Sequence, residues 1–422
     1  MSAVSSILII GAGQAAAVAA DTLRKKGYSG KIVIVGNEMH APYERPPLSK
    51  AVLAGDEVDE PSVSIKDGTF FDTGDIDLML GVQVTGLDPS VREATLADGS
   101  ILGFDRCLLA TGGKARELPG LSPDAPQTHY LRTLDDARRL RSALQQASSA
   151  IVIGAGVLGL EIASTACNMG VDVSVIETAP RVLGRMAPSA FSSWLQTRIL
   201  ASGARLYLGQ SITGVELSSR IAKVVLSHGA VLEADIIVVA VGFVPATHLA
   251  QQAGLRINKQ NGGIEVDARC RSSQPAIFAA GDCTSRSVDG CNSLRLESWQ
   301  NANEQGRIAA CAMLDLETTP AAYPWFWTDQ FGCNIQMLGL PRPDLQYVVR
   351  GSIDPAVATP QFIMLGLHGS SPRHALAVNA GGDLRAMRPM LERQLSVDTF
   401  QFTDRSTTVK AYTKALIASV SN

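Results

Sequence analysis

Two short stretches carry residue types at a spacing that binds phosphate. Gly11, Gly13 and Ala16 follow the apolar residues 7–10, and Gly154, Gly156 and Gly159 follow the apolar residues 150–153. In each, the first glycine permits a tight turn and the second lets the backbone approach a pyrophosphate. The small third residue allows a helix to pack closely on a strand. Ala15 and Leu158 lie inside the two turns. The following helix aims bare N–H groups and its positive dipole end at the phosphates. Each turn sits in a strand–turn–helix–strand unit, the context that gives the pattern its specificity. The first runs through a helix over 14–26 to a strand over 31–35. The second runs through a helix over 159–169 to a strand over 171–176. Two such units imply two dinucleotides, and a flavin with a nicotinamide is the natural pair.

Further polar residues stand where those nucleotides would lie. Asn37 and Glu38 follow the second strand, about 20 residues past the first glycines, where an acid binds a ribose hydroxyl pair. A solvated turn is the alternative. Glu177 has the same place in the second unit. Its charge would repel a 2′-phosphate, which favours NADH over NADPH. Arg181 and Arg185 lie just beyond and could contact a pyrophosphate, or a 2′-phosphate if Glu177 turns away. The stretch 41–50, APYERPPLSK, is stiffened by prolines and delivers Arg45 and Lys50 to defined places. Two buried strands end in residues that let backbone run against a ligand: Ala110-Thr111-Gly112 and, later, Gly242. Gly281-Asp282 ends another strand, and there Asp282 suits a sugar or ribityl hydroxyl, or a helix N-cap.

The elements that must position these residues fill a chain of 422 residues, enough for two or three domains. Net charge is -3 and pI about 6.1, which argues against a nucleic-acid binder. No apolar run of about 18 residues is present, so no membrane span is expected, and no basic-then-apolar leader is seen. The seven cysteines are scattered and never in CxxC spacing, which fits a reduced cytoplasmic setting. The six histidines show no metal-ligand spacing. Residues 69–103 read as short alternating strands, one of them over 80–84. Arg132 precedes a helix that Thr133 or Asp135 would cap. A helix is expected over 188–202, and the stretch 296–302 is expected to start another that runs to about 314. The stretch 324–330 marks a boundary, beyond which four strands and then helices follow. Residues 341–422 hold nine Lys and Arg against six Asp and Glu, a local +3 on a chain that is -6 elsewhere. Such a domain could steer an acidic partner, or simply carry ordinary surface charge.

In this order and spacing, GAGQAAA, PYERPPLSK, LATGG, LRTLDDA, GAGVLGLEIA, VVAVGFVP, FAAGDC, ESWQNA and PWFWTDQ resemble the ferredoxin reductases of bacterial oxygenase systems. These are of the putidaredoxin-reductase and rubredoxin-reductase type, with the glutathione-reductase fold. The match spans residues 7 to about 340; the tail from about 350 fits by length and pattern only. The resemblance implies an α/β protein with two Rossmann-like dinucleotide-binding domains, the second inserted in the first, plus a C-terminal α+β domain. The FAD-binding domain would take 1–112 and 245–322, the NAD-binding domain 113–244, and the C-terminal domain 323–422. FAD contacts would come from Ala15, Lys50, Val84, Arg132, Asp282 and Trp299. Asn37 stands where an aspartate is often found, which leaves the adenosine ribose to Glu38. Arg45 and Trp327 would lie near the isoalloxazine.

The implied chemistry is hydride transfer from NADH to FAD, then single electrons to a [2Fe–2S] ferredoxin that feeds an oxygenase or cytochrome P450. Lys50 would stabilise charge developing on the flavin, and an unpaired buried lysine tends to lose its proton. Glu161, two residues past Gly159, is the expected partner. Residues 38–66 contain no cysteine, which argues against a thiol–disulfide relay. Rubredoxin or molecular oxygen are rival acceptors. An apoptosis-inducing-factor-like NADH-sensing binding protein is the reading from another class. A monomer or weak dimer is expected.

Overall fold

The computed structural model describes residues 4–55, 60–66, 69–218, 221–287 and 293–421; Cys291 lies outside the described residues. The chain divides into two units. One comprises Met1–Pro47, Asp56–Lys114 and Phe243–Ala322, the other Leu48–Gly55, Ala115–Gly242 and Tyr323–Asn422.

The first unit is built on five parallel strands in the order Ile277–Ala279, Arg106–Leu109, Ser6–Ile10, Lys31–Val35, Ile76–Met79. The unbroken apolar runs 7–10, 32–35 and 107–109 follow from burial on both faces. Ile7, Ile9, Ile32, Ile34 and Phe278 face one core, while Leu8, Ile10, Val33, Val35 and Leu109 face another. The helices Gln14–Lys25 and Trp299–Met313 cover the first face through alanines. They come into backbone contact there, because a Cβ on Gly306 would lie 2.5 Å from the Ala15 carbonyl oxygen. The second face is covered in part by the antiparallel strands Val84–Asp88, Glu93–Leu96 and Ile101–Gly103.

The strand expected over 80–84 is replaced by a turn between Ile76–Met79 and Val84–Asp88. Gly81 takes φ +67°, and the amides of Gly81 and Val82 bond to the carbonyls of Glu38 and Gly36. Apolar alternation alone does not register such a turn against a neighbouring loop. Thr69–Thr73 is a short helix that buries Phe71.

The second unit repeats the plan. Five parallel strands run in the order Arg205–Leu208, Asp172–Glu177, Ser149–Ile153, Ile236–Val239, Thr128–Tyr130. The helix Leu134–Gln146 starts at a reciprocal capping box between Thr133 and Asp136. A second, antiparallel five-stranded sheet follows, in the order Trp325–Gln330, Cys333–Gly339, Ser371–Val378, Phe362–His368, Gln346–Gly351. The helices Gly381–Glu392 and Val409–Ser421 pack on it through Leu384, Met387, Met390, Val409 and Tyr412. Residues 325–330, a boundary by sequence, are its edge strand.

The helix Val157–Asn168 binds these parts of the second unit together. Its buried polar residues Glu161, Ser164 and Thr165 stand three and four apart and so share one face. Ser164 Oγ accepts from the Phe331 amide at 2.7 Å, and Thr165 Oγ1 donates to the Ser49 carbonyl at 2.8 Å. Buried polar groups need such partners, and these are supplied by the edge strand and by the segment Leu48–Gly55. Among the described residues, no helix is long and apolar enough to cross a membrane.

Candidate functional site

Each glycine-rich turn divides its demands between protein and ligand. Gly11 has φ +108°, and a Cβ there would lie 2.2 Å from the Ala110 carbonyl oxygen. Gly154 has φ +107°, with its Cβ position 2.5 Å from the Ala240 carbonyl oxygen. A Cβ on Gly159 would lie 2.0 Å from the Gly154 carbonyl oxygen, and Ala16 is fully buried. Gly13 and Gly156 differ: a Cβ on either would meet no protein atom within 4 Å. Their backbone is extended rather than left-handed. Protein packing does not demand glycine at these two positions, and the close approach of a pyrophosphate does. Both residues are helix N-caps without a side-chain cap, and neither helix has an acid in its first turn. The exposed N–H groups and the positive helix end are therefore left for an anion. The residues present thus fit a dinucleotide at each turn.

In the first unit the strand ends converge on Gly11. Thr111 Oγ1 donates to the Ala246 carbonyl at 2.7 Å, and the Gly112 carbonyl accepts from the Ala246 amide at 3.0 Å. Gly281 takes φ +85°, and its amide donates to Gln305 Oε1 at 2.7 Å, as does Thr284 Oγ1 at 2.8 Å. Buried Gln305 thereby sets the turn that presents Asp282. The strand Thr284–Ser287 follows, so Asp282 caps no helix. Trp299 opens a helix that Ser298 caps. Val84 opens its strand and is half-buried.

Glu38 is gripped from two sides. Tyr43 Oη donates to its Oε2 at 2.5 Å and Arg45 Nη2 to its Oε1 at 2.7 Å, while Arg45 Nη1 also donates to Tyr43 Oη at 3.0 Å. Burial works against the Arg45 charge, but Tyr43, Glu38 and Asp282 outweigh it and raise its pKa above the ordinary arginine value. Arg45 is thus fastened to Glu38 and lies within the electrostatic reach of Asp282. Asn37 is exposed.

In the second unit Glu177 Oε2 accepts from the Ala155 amide and Oε1 from the Ala179 amide, each at 2.8 Å. Arg181 is spent on its own loop, donating to the carbonyls of Ala187 at 2.6 Å and Gly184 at 2.7 Å. Exposed Arg185 makes no hydrogen bond among the described residues. Gly242 takes φ +121° and its carbonyl accepts from the Arg116 amide. The Arg132 amide joins the capping box through Asp136 Oδ2 at 3.1 Å.

The structure brings Lys50 and Glu161 together, with Nζ 2.8 Å from Oε1. Two further donors close on the same carboxylate: Thr328 Oγ1 to Oε1 at 2.6 Å, and Ser49 Oγ to Oε2. Trp327, beside Thr328, stacks on Trp325 at 4.9 Å with an 18° tilt. Ser49, Thr328 and Gln305 escaped the sequence reading. The available signal was Glu161, Ser164 and Thr165 at helical spacing within an otherwise apolar helix, which marks a buried polar face in need of partners.

Six cysteines are described, all free and five of them buried; burial pushes Cys270 up to about 12 and raises Cys107 further. Such thiols are poor nucleophiles. Among the described residues, no group of three or more His, Cys, Asp and Glu could hold a metal ion.

Comparison with known proteins accords with this arrangement. Residues 5–306 match the family described as pyridine nucleotide-disulphide oxidoreductase, and residues 325–413 match the reductase C-terminal family. The 3-phenylpropionate/cinnamic acid dioxygenase ferredoxin–NAD(+) reductase component of Photorhabdus laumondii is 38% identical over 393 residues, 93% of this chain and 97% of that protein. Rhodocoxin reductase of Rhodococcus erythropolis is 37% identical over 401 residues, 94% of this chain and 92% of that one. The solved covalent putidaredoxin reductase–putidaredoxin complex matches with a TM-score of 0.92 and 32% identity, covering 99% of both chains. The chain belongs to the pyridine nucleotide-disulphide oxidoreductase family, as an enzyme that uses FAD and NAD(H).

Proposed function

We propose that the protein is an NADH:ferredoxin oxidoreductase, with a [2Fe–2S] ferredoxin as its acceptor and an oxygenase or cytochrome P450 as the final consumer of electrons. The observation that carries this reading is the ion pair between Lys50 and Glu161, on a helix whose N-terminus is the second nucleotide turn. The two relatives with ferredoxin or rhodocoxin chemistry in their names support the choice of acceptor.

The bound FAD and NADH supply the hydride exchange and the release of electrons one at a time. The chain's part is to hold and bias them. Gly11, Gly13 and Ala16, with the N-terminus of Gln14–Lys25, would take the pyrophosphate of FAD. Glu38, clamped by Tyr43 and Arg45, would take its adenosine ribose, and Asp282 its ribityl chain. Gly154, Gly156 and Gly159 would take the pyrophosphate of NADH, and Glu177 its ribose 2′-hydroxyl. The Lys50–Glu161 ion pair sits in a mostly buried place, where charge stabilisation is strong.

Anaerobic stopped-flow tests the reading. The protein is reduced with NADH and mixed with a [2Fe–2S] ferredoxin while both chromophores are followed. Rapid flavin reoxidation with ferredoxin reduction is expected. A stable long-wavelength charge-transfer band with no electron passed on would overturn it.

A further inference from the structure

Glu161 and Lys50 are long, flexible side chains, and a mostly buried pair of this kind must offset both desolvation and lost rotamer entropy. The structure supplies what such a pair lacks. Glu161 Oε1, the oxygen that meets Lys50, also accepts from Thr328 Oγ1 at 2.6 Å. Thr328 is fully buried on the edge strand Trp325–Gln330, so its hydroxyl stands on rigid backbone. A hydroxyl has one proton to give. Gln330 Nε2 donates into Thr328 Oγ1 at 3.1 Å, which leaves that proton for Glu161. This is the sole side-chain hydrogen bond that Gln330 makes among the described residues, its Oε1 being buried without a partner. The second carboxylate oxygen accepts from Ser49 Oγ, whose own carbonyl is held by Thr165.

We propose that Thr328 is a positioning residue for the Lys50–Glu161 pair. It locks the Glu161 carboxylate in the one orientation that holds the Lys50 ammonium in place, and Gln330 fixes the direction of its hydroxyl. The C-terminal sheet thereby takes part in setting the electrostatics of the site through its edge strand. The inference rests on the role given above to Lys50. Ser49 serves the same carboxylate, but its neighbour in sequence is Lys50 itself. Thr328 stands far from Lys50 in the chain, so it separates the two effects.

The test compares the holoenzyme with Thr328→Val, Thr328→Ser, Gln330→Leu and Lys50→Met. The readouts are the rate of flavin reduction by NADH, the flavin midpoint potential and the thermal unfolding midpoint. Valine keeps the shape but removes the hydroxyl. Thr328→Val is expected to slow flavin reduction about tenfold, roughly 1.4 kcal/mol, and to make the midpoint potential more negative. Thr328→Ser should restore both. Gln330→Leu should shift the potential in the same direction by less, and it serves if Thr328→Val does not fold. If Lys50→Met changes rate and potential while Thr328→Val and Gln330→Leu change neither, the positioning role is overturned and the reading of Lys50 stands. If Lys50→Met changes neither, the reading of the pair fails and the inference falls with it. A lower unfolding midpoint with unchanged potential and rate would make Thr328 a merely structural residue.

Discussion

Glu177 Oε2 accepts from the Ala155 amide at 2.8 Å, so the acid ending one strand is fastened to the turn ending its neighbour. With Oε1 held by the Ala179 amide, the carboxylate has a fixed orientation beside the second nucleotide turn. A fixed acid discriminates better than a mobile one, because a 2′-phosphate cannot push it aside without breaking both bonds. Glu177→Gln removes the charge and keeps one of the two bonds, since only its amide oxygen accepts. The ratio of kcat/KM for NADH over NADPH is expected to fall about tenfold, the scale of one hydrogen bond to a charged group. Steady-state kinetics with both nucleotides measures it, and an unchanged ratio removes Glu177 from the ribose site.

The glycines of each turn should separate folding from ligand binding. Gly11→Ala puts a Cβ 2.2 Å from a carbonyl oxygen at a left-handed residue. It is expected to destabilise the first unit on the order of 3 kcal/mol. Gly13→Ala meets no protein atom. It should leave the unfolding midpoint of the protein stripped of FAD nearly unchanged and cut FAD retention at least tenfold. Gly156→Ala should likewise raise KM for NADH while the fold stays intact. Flavin absorbance after gel filtration, set beside thermal melts, reads both effects. Equal loss of stability in Gly11→Ala and Gly13→Ala would mean that Gly13 serves the fold and not a ligand.

These contrasts also show where sequence is legible. The strands Ser6–Ile10 and Ser149–Ile153 declare themselves because burial on both faces leaves an unbroken apolar run after the opening serine. The turns are legible because only glycine satisfies them. What sequence hides is pairing at long range. Thr328 and Glu161 are 167 positions apart, and nothing in the type of either residue names the other. The grip of Arg45 on Glu38 and Tyr43 is hidden for the same reason: the proline-stiffened loop delivers Arg45, while its partners depend on where Glu38 and Tyr43 fold. The turn at Gly81 was hidden because it is set by the carbonyls of Gly36 and Glu38, more than 40 residues upstream.

Buried His374 gives the C-terminal sheet a pH dependence. Its ring is fully buried, Nδ1 lies 2.9 Å from Tyr347 Oη, and Nε2 has no partner among the described residues. Burial lowers its pKa from 6.5 to about 4. Between these values the unfolded chain binds a proton that the folded chain refuses, so stability falls as pH drops from 6.5 toward 4. The full loss is about 3 kcal/mol at 1.36 kcal/mol per unit. His374→Phe should be less stable at pH 7.5, through loss of the Tyr347 contact, yet lose less on acidification. Chemical denaturation at pH 7.5 and 4.5 compares the two. Parallel pH dependence in both proteins would exclude His374 as the cause.

Acceptor docking is the last expectation, and it concerns charge at the far end of the chain. Lys410 and Lys414 are exposed and four apart near the start of the helix Val409–Ser421, so they share a face. Arg405 is exposed in the preceding turn, which Arg350 pins through the carbonyls of Phe402 and Asp404. An acidic electron carrier that docked on this face would meet these three cations. Such charges act mainly on encounter and fade with ionic strength. Reversing all three to glutamate should raise KM for ferredoxin about tenfold at low salt, a fold-change typical of lost steering. It should also flatten the salt dependence of turnover. The rate of flavin reduction by NADH should not change, because none of the three touches Lys50 or Glu161. Turnover with ferredoxin across a salt series measures both. If KM and the salt slope stay at their original values, the acceptor docks elsewhere on the protein.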